Sequence, residues 1–201
     1  YPILARALIA LPWIRRIVDL GCAFGLQAAE FRPRWRYWGV DQRPPLGEPD
    51  GQRRVIPFFG AEDPGIAYRI GHVPEAVPAP EPGDVAVALL SVGYEAHPPD
   101  PNVVAAALTR YRLVVVDLAP PYAQALAGRF RHHTCWARPS DGSRLWAGSH
   151  RARDLSRLLQ GLPEGSLAHA PGGGSEPRVW AGLHTKRLPA CRSSARKPFG
   201  V

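Results

Sequence analysis

Ile17-Val18-Asp19-Leu20-Gly21-Cys22-Ala23-Phe24-Gly25 is an apolar run that carries an acid and breaks into a glycine turn. The β-branched pair Ile17-Val18, followed by Leu20, predicts a strand over Arg16–Leu20. Gly21 and Gly25 let the backbone turn tightly and approach a ligand closely, because neither carries a Cβ. A short helix follows until Pro33 closes it, so the segment reads strand, turn, helix. Amides at such a helix start can hold a carboxylate or a phosphate. Twenty-two residues beyond Asp19, the run Tyr37-Trp38-Gly39-Val40-Asp41 predicts a second strand that also ends in an acid. A carboxylate there is placed to accept hydrogen bonds from both hydroxyls of a nucleoside ribose.

The same rhythm extends along the chain. Residues 3–14 predict a lead-in helix ending near Pro12. Residues 42–53 hold three Pro and two Gly, which predicts a loop, and Arg54–Phe59 predicts a third strand. Residues 60–83 are mixed, with one helical turn expected near Ile66–Ile70 and a Pro-rich stretch from Pro74 to Pro82. Asp84–Val92 is the clearest buried strand, a near-continuous apolar run of the kind parallel sheets require. A helix over Asn102–Arg110 leads to a strand at Leu113–Asp117, and Pro120-Pro121 suits the first turn of a helix ending near Phe130. His132–Arg138 and Arg144–Ser149 flank Pro-Ser-Asp-Gly-Ser, a hairpin signal, before a helix at Arg151–Leu159. Arg144–His150 and Arg178–His184 resemble each other, which suggests paired edge strands of similar composition. The fold class expected is α/β, with a mainly parallel sheet and an antiparallel C-terminal hairpin.

Length and charge bound the rest. A chain of 201 residues suits one domain, here residues 1–185, plus a basic tail at 186–201 expected to be disordered. The net charge of +8 invites a nucleic-acid reading. Five basic residues lie in the acid-free tail, however, leaving 20 basic against 17 acidic over residues 1–185. Basicity therefore gives weak support to DNA or RNA as a partner. The three cysteines, Cys22, Cys135 and Cys191, are too few and scattered for a disulfide framework, so a cytoplasmic setting is expected. The apolar start, Tyr1 to Ile14, is broken by Arg6 and Pro12, and neither a membrane span nor a secretory leader is expected. His132, His133 and Cys135 lack a second ligand pair and would alternate faces on a strand, so no metal site is expected. Trp136, Trp146 and Trp180 read as sheet-packing residues.

At Asp19-Leu-Gly-Cys-Ala-Phe-Gly25 and Asp41 the chain resembles the class I S-adenosylmethionine-dependent methyltransferases. Their first motif is an apolar run, an acid and Gly-x-Gly-x-Gly, and an acid closes their second strand. Ala23 stands at the middle glycine, and the resemblance covers roughly residues 14–120. It implies a Rossmann-like three-layer sandwich and S-adenosylmethionine as cofactor. Gly21, Cys22, Ala23 and Gly25 would line the methionine end, and Asp19 would fix the turn or reach the amino group through water. Asp41 would hold the ribose, Ala61 and Glu62 would border adenine, and Ser91 and Val92 would floor the site. In the loop after the fourth strand, Tyr94, Glu95 and His97 are the candidate acceptor and base residues. Asp117-Leu-Ala-Pro-Pro-Tyr122 carries two residues more than the Asp-Pro-Pro-Tyr motif of amino-directed DNA methyltransferases and follows the wrong strand. The expectation is a methyltransferase for a small-molecule acceptor. A non-catalytic Rossmann-like binding module is the alternative, and a nicotinamide oxidoreductase is disfavoured by the glycine spacing.

Overall fold

The computed structural model describes residues 1–23, 25, 27–42, 65–89, 98–117, 120–137 and 144–162. Seven strands form one sheet: β1 (Arg16–Leu20), β2 (Arg36–Asp41), β3 (Ile66–Ile70), β4 (Asp84–Leu89), β5 (Leu113–Asp117), β6 (His132–Ala137) and β7 (Arg144–Ser149). Among the described residues five helices accompany them: α1 (Pro2–Leu8), α2 (Ala28–Phe31), α3 (Pro101–Leu108), α4 (Pro120–Ala127) and α5 (Ala152–Gln160). The strand order is β3-β2-β1-β4-β5-β7-β6. All neighbours from β3 to β5 pair in parallel, and β7 pairs antiparallel with both β5 and β6.

The alternation of side chains along the central strands builds two cores. Ile17, Val85, Val87, Leu113 and Val115 face one side, where Leu4 and Leu8 of α1, Phe31 of α2 and Leu155 and Leu158 of α5 cover them. Val18, Ala86, Ala88, Val114 and Val116 face the other, against Val104 and Leu108 of α3 and Tyr122 and Leu126 of α4. Strands buried on both faces read as continuous apolar runs, which is why β1, β4 and β5 were legible. The result is the three-layer sandwich expected, with the antiparallel hairpin at the end.

Three local expectations need correction. Ile66–Ile70 is a strand, not a helical turn, and its parallel pairing with β2 decides the matter: Tyr37 is in register with Ile66, and Asp41 with Ile70. A mostly apolar five-residue segment interrupted by Arg69 fits either element by periodicity, and the hydrogen-bonding edge of β2 captures it as a strand. The lead-in helix is shorter than 3–14. After Leu8 the chain tightens through Ile9, Ala10 and Leu11, whose amides donate to carbonyls three residues back, before Pro12. Finally, β7 is no edge strand, because β5 and β6 flank it. The expected strands at Arg54–Phe59 and Arg178–His184, and the tail at 186–201, lie outside the described residues. Trp146 packs in the second core as expected, 5% exposed, while His133 stacks on its indole. No helix among the described residues is long and apolar enough to cross a membrane.

Opposite the carboxyl ends of the strands, the start of the sheet is pinned by a buried ion pair. Arg16 donates through Nε to Asp84 Oδ1 at 2.9 Å and through a second nitrogen to Oδ2, while the guanidinium lies over the Trp38 ring. The bidentate geometry satisfies both buried charges, which would otherwise cost several kcal/mol.

Candidate functional site

From β1 the chain runs outward in both directions, to β2 and β3 on one side and to β4 and β5 on the other. Such a reversal opens a crevice beyond the carboxyl ends of the strands, here between β1 and β4. The turn after β1 lies at its mouth. Gly21, Ala23 and Gly25 take φ of 69°, 47° and 66°, so alternate residues are left-handed. Two of the three positions use glycine, which reaches this region without Cβ strain, and Ala23 bears that strain.

Backbone hydrogen bonds stitch the turn to β2. The amides of Gly21 and Cys22 both donate to the Val40 carbonyl, at 2.7 and 3.1 Å. Gly25 N–H donates to the Cys22 carbonyl at 2.7 Å, and Gln27 Nε2 donates to the same oxygen at 2.9 Å. Ala23 N–H donates to Asp41 Oδ2 at 2.7 Å, which brings the acid ending β2 over the turn. Gly39 makes this close approach possible. A Cβ there would lie 2.7 Å from Cys22 Sγ and 3.1 Å from the Tyr68 ring.

Asp19 lies beneath the turn, fully buried. Its Oδ2 accepts a 2.6 Å hydrogen bond from the Tyr37 hydroxyl, whereas Oδ1 has no partner among the described residues. Burial pushes its carboxyl up to about 7 against the lowering effect of the Tyr37 hydrogen bond, and the Asp41 charge adds to the rise. Gln27 also lowers it, although its hydrogen bond goes to the Cys22 carbonyl. The Cys22 thiol is buried too, and burial followed by the charges of Asp19 and Asp41 pushes it well above the usual thiol range. It therefore stays neutral.

Two groups that sequence reasoning did not place in the site stand beside these. Tyr1, the N-cap residue of α1, donates from its hydroxyl to the Leu89 carbonyl at the end of β4, at 3.3 Å. Burial raises its phenol, and the charges of Asp19, Cys22 and Asp117 raise it further. Asp117, 4% exposed, ends β5 in register with Leu89.

No family model matches this sequence, and no curated protein matches it. Solved structures do. The bifunctional kinase-methyltransferase WbdD aligns at 19% identity and a TM-score of 0.55, over 74% of this chain and 38% of that one. CalS10, an amino pentose methyltransferase from Micromonospora echinaspora solved with S-adenosylmethionine bound, aligns at 12% identity and a TM-score of 0.51, over 74% of this chain and 89% of that one. DesVI of Streptomyces venezuelae aligns at 11% identity and 0.51, over 74% and 92%. The fold is that of the class I S-adenosylmethionine-dependent methyltransferases.

At these identities the likeness is one of fold, and the chain spans well under half the length of the WbdD structures it matches. Of the residues expected at a methyltransferase site, the structure gathers Asp19, Gly21, Cys22, Ala23, Gly25 and Asp41 around one crevice. Ala61, Glu62, Ser91, Val92, Tyr94, Glu95 and His97 lie outside the described residues. The only sequence signal for Tyr37 was its parity with Gly39 and Asp41 on β2.

Proposed function

We propose that this chain binds S-adenosylmethionine in the crevice between β1 and β4 and serves as a methyltransferase for a small-molecule acceptor. The observation that carries the reading is the turn itself: alternating left-handed residues at 21, 23 and 25, bonded to a second strand whose terminal acid overhangs them. That arrangement fits the cofactor's parts. Gly21, Cys22, Ala23 and Gly25 would border the methionine end, with Gly21 and Gly25 leaving room where a side chain would intrude. Asp41, which accepts from Ala23 N–H through Oδ2 and ends β2 over the turn, would be the acceptor for the ribose hydroxyls. Asp19 Oδ1, without a partner among the described residues, would offer a buried acceptor to the amino group, directly or through water. Ala61 and Glu62 would border adenine, and Ser91 and Val92 would floor the pocket.

When bound, the cofactor supplies an electrophilic methyl group on a sulfonium. The chain supplies alignment and exclusion of water. Cys22, held neutral by its burial, does not compete as a nucleophile. Tyr94, Glu95 and His97 are assigned to the acceptor, with His97 able to take its proton near neutral pH. The small-molecule reading is supported by CalS10, an amino pentose methyltransferase. Titration calorimetry tests the cofactor: the wild type binds S-adenosylmethionine, and Asp41→Ala weakens binding by about 1.5–3 kcal/mol, a lost hydrogen bond to a charged group. Unchanged affinity in the variant removes Asp41 from the site, and no binding by the wild type defeats the reading.

A further inference from the structure

Net charge counts arginines without locating them, and the fold locates them unevenly. Arg-x-Arg occurs three times between residues 110 and 153: Arg110-Tyr111-Arg112, Arg129-Phe130-Arg131 and Arg151-Ala152-Arg153. The sheet gathers all three at one end. Residues 109–112 lead into β5, residues 128–131 lead into β6, and residues 150–151 follow β7. Because β7 lies between β5 and β6 and is antiparallel to both, these ends are adjacent: Leu113 is in register with Ser149, and Ser149 with His132. The row they form crosses two strand spacings, roughly 10 Å. His150 ties the loops together. Its amide donates to the Arg112 carbonyl at 3.3 Å, its Nε2 donates to the Thr109 carbonyl at 2.7 Å, and its ring stacks on Phe130 at 4.7 Å.

Asp154, the acid beside these loops, is buried and taken by Arg112, whose Nε and second nitrogen donate at 2.7 and 2.8 Å. Arg110, Arg129, Arg131, Arg151 and Arg153 are exposed, and no ion pair among the described residues reaches them. Arg151 is the N-cap of α5 without a side-chain hydrogen bond, and Arg153 follows in the first turn, where the helix dipole disfavours a cation. Like charges gathered this way repel one another, and an anion seated among them would relieve the repulsion. We infer that this end of the sheet docks a nucleic-acid backbone, with Arg110, Arg129, Arg131, Arg151 and Arg153 supplying the phosphate contacts. Guanidinium groups pair with phosphate in bidentate fashion. A polymer with a phosphate on every nucleotide matches a row whose charge repeats from strand to strand. A lipid surface fits less well, because the exposed large hydrophobics, Ile3, Ile9, Ile70 and Val103, lie outside these loops and give the row no apolar anchor. The crevice lies beyond the opposite ends of β1 and β4, about one strand length away, roughly 17 Å. Docking and cofactor binding therefore use separate surfaces, and the inference does not depend on the cofactor reading.

Fluorescence anisotropy of a labelled single-stranded DNA of about 20 nucleotides, titrated with the full chain over a series of salt concentrations, tests this. With about five phosphates engaged, log K should fall against log salt with a slope of about −3.5. Arg129→Gln combined with Arg131→Gln should weaken binding about tenfold at ~0.1 M salt and reduce the slope by about 1–2. Arg6→Gln combined with Arg69→Gln removes the same charge from exposed positions elsewhere and should leave affinity and slope nearly unchanged. Equal losses in the two double variants would show that net charge alone binds, and would overturn the inference. No binding by the wild type at ~50 mM salt would overturn it as well. So would binding to phosphatidylserine vesicles with none to the DNA. If the Arg129 and Arg131 double variant does not fold, Arg153→Gln decides, since it should weaken binding by itself and lower the slope by about 1.

Discussion

Replacing Asp19 by Asn should make the ligand-free protein more stable above neutral pH. The carboxyl is fully buried, accepts a hydrogen bond from Tyr37, and has no partner for Oδ1 among the described residues. Its pKa rises from 3.8 to about 7 on folding, with burial the largest cause. A raised acid means that the folded state holds its proton more tightly than the unfolded chain does. The stability this provides is complete below pH 4 and is lost as pH climbs through 7, where the folded state must ionise a buried group. A rise of about three pK units corresponds to about 4 kcal/mol. Asn keeps the shape and cannot ionise. Urea denaturation of both proteins at half-unit steps from pH 4 to pH 8.5 measures the difference directly. The stability of Asp19→Asn relative to wild type should increase with pH and level off above 7.5. A difference that does not change with pH would refute the burial argument, and one that moves the other way would mean that Asp19 is paired by a cation.

The same titration predicts that S-adenosylmethionine binds more tightly as pH rises towards 7, because an ammonium paired with Asp19 requires the carboxylate; calorimetry across pH 5–8 should lose this slope in Asp19→Asn. Gly39→Ala should cost about 1–3 kcal/mol in urea denaturation, since its Cβ would lie 2.7 Å from Cys22 Sγ, and Cys22→Ala in the same chain should recover part of it. Asp84→Ala should cost about 3–5 kcal/mol by leaving the buried Arg16 guanidinium without its bidentate partner, and a loss under 1 kcal/mol would show that Glu81, 3.3 Å away, carries the pair.

What could be read along the chain was what one element declares alone. β1, β4 and β5 are buried on both faces, so their residues form unbroken apolar runs, and the glycines at 21 and 25 announce a turn wherever the strand ends. Asp41 was legible because a strand-terminal acid follows from spacing alone. β3 was not, because it lies at the edge of the sheet with Arg69 and Ile70 exposed, and only its register with β2 makes it a strand. The buried side of the site was hidden for a related reason. Tyr1, Tyr37 and Asp117 come from three distant segments: register brings Tyr37 onto Asp19, Asp117 ends β5 beside Leu89, and the α1 N-cap sets Tyr1 within reach of both charges. Single-strand patterns carry no information about which strands become neighbours. The left-handed backbone of Ala23 was likewise unannounced, since alanine gives no sign of the φ its neighbours impose.

The most direct test of the cofactor crevice is a crystal structure of the protein grown with S-adenosylmethionine. The methionine end should lie along Gly21–Gly25 with its amino group towards Asp19, and both ribose hydroxyls should reach the Asp41 carboxylate within hydrogen-bond distance. A cofactor bound elsewhere, or a nucleoside whose ribose makes no contact with Asp41, would contradict it.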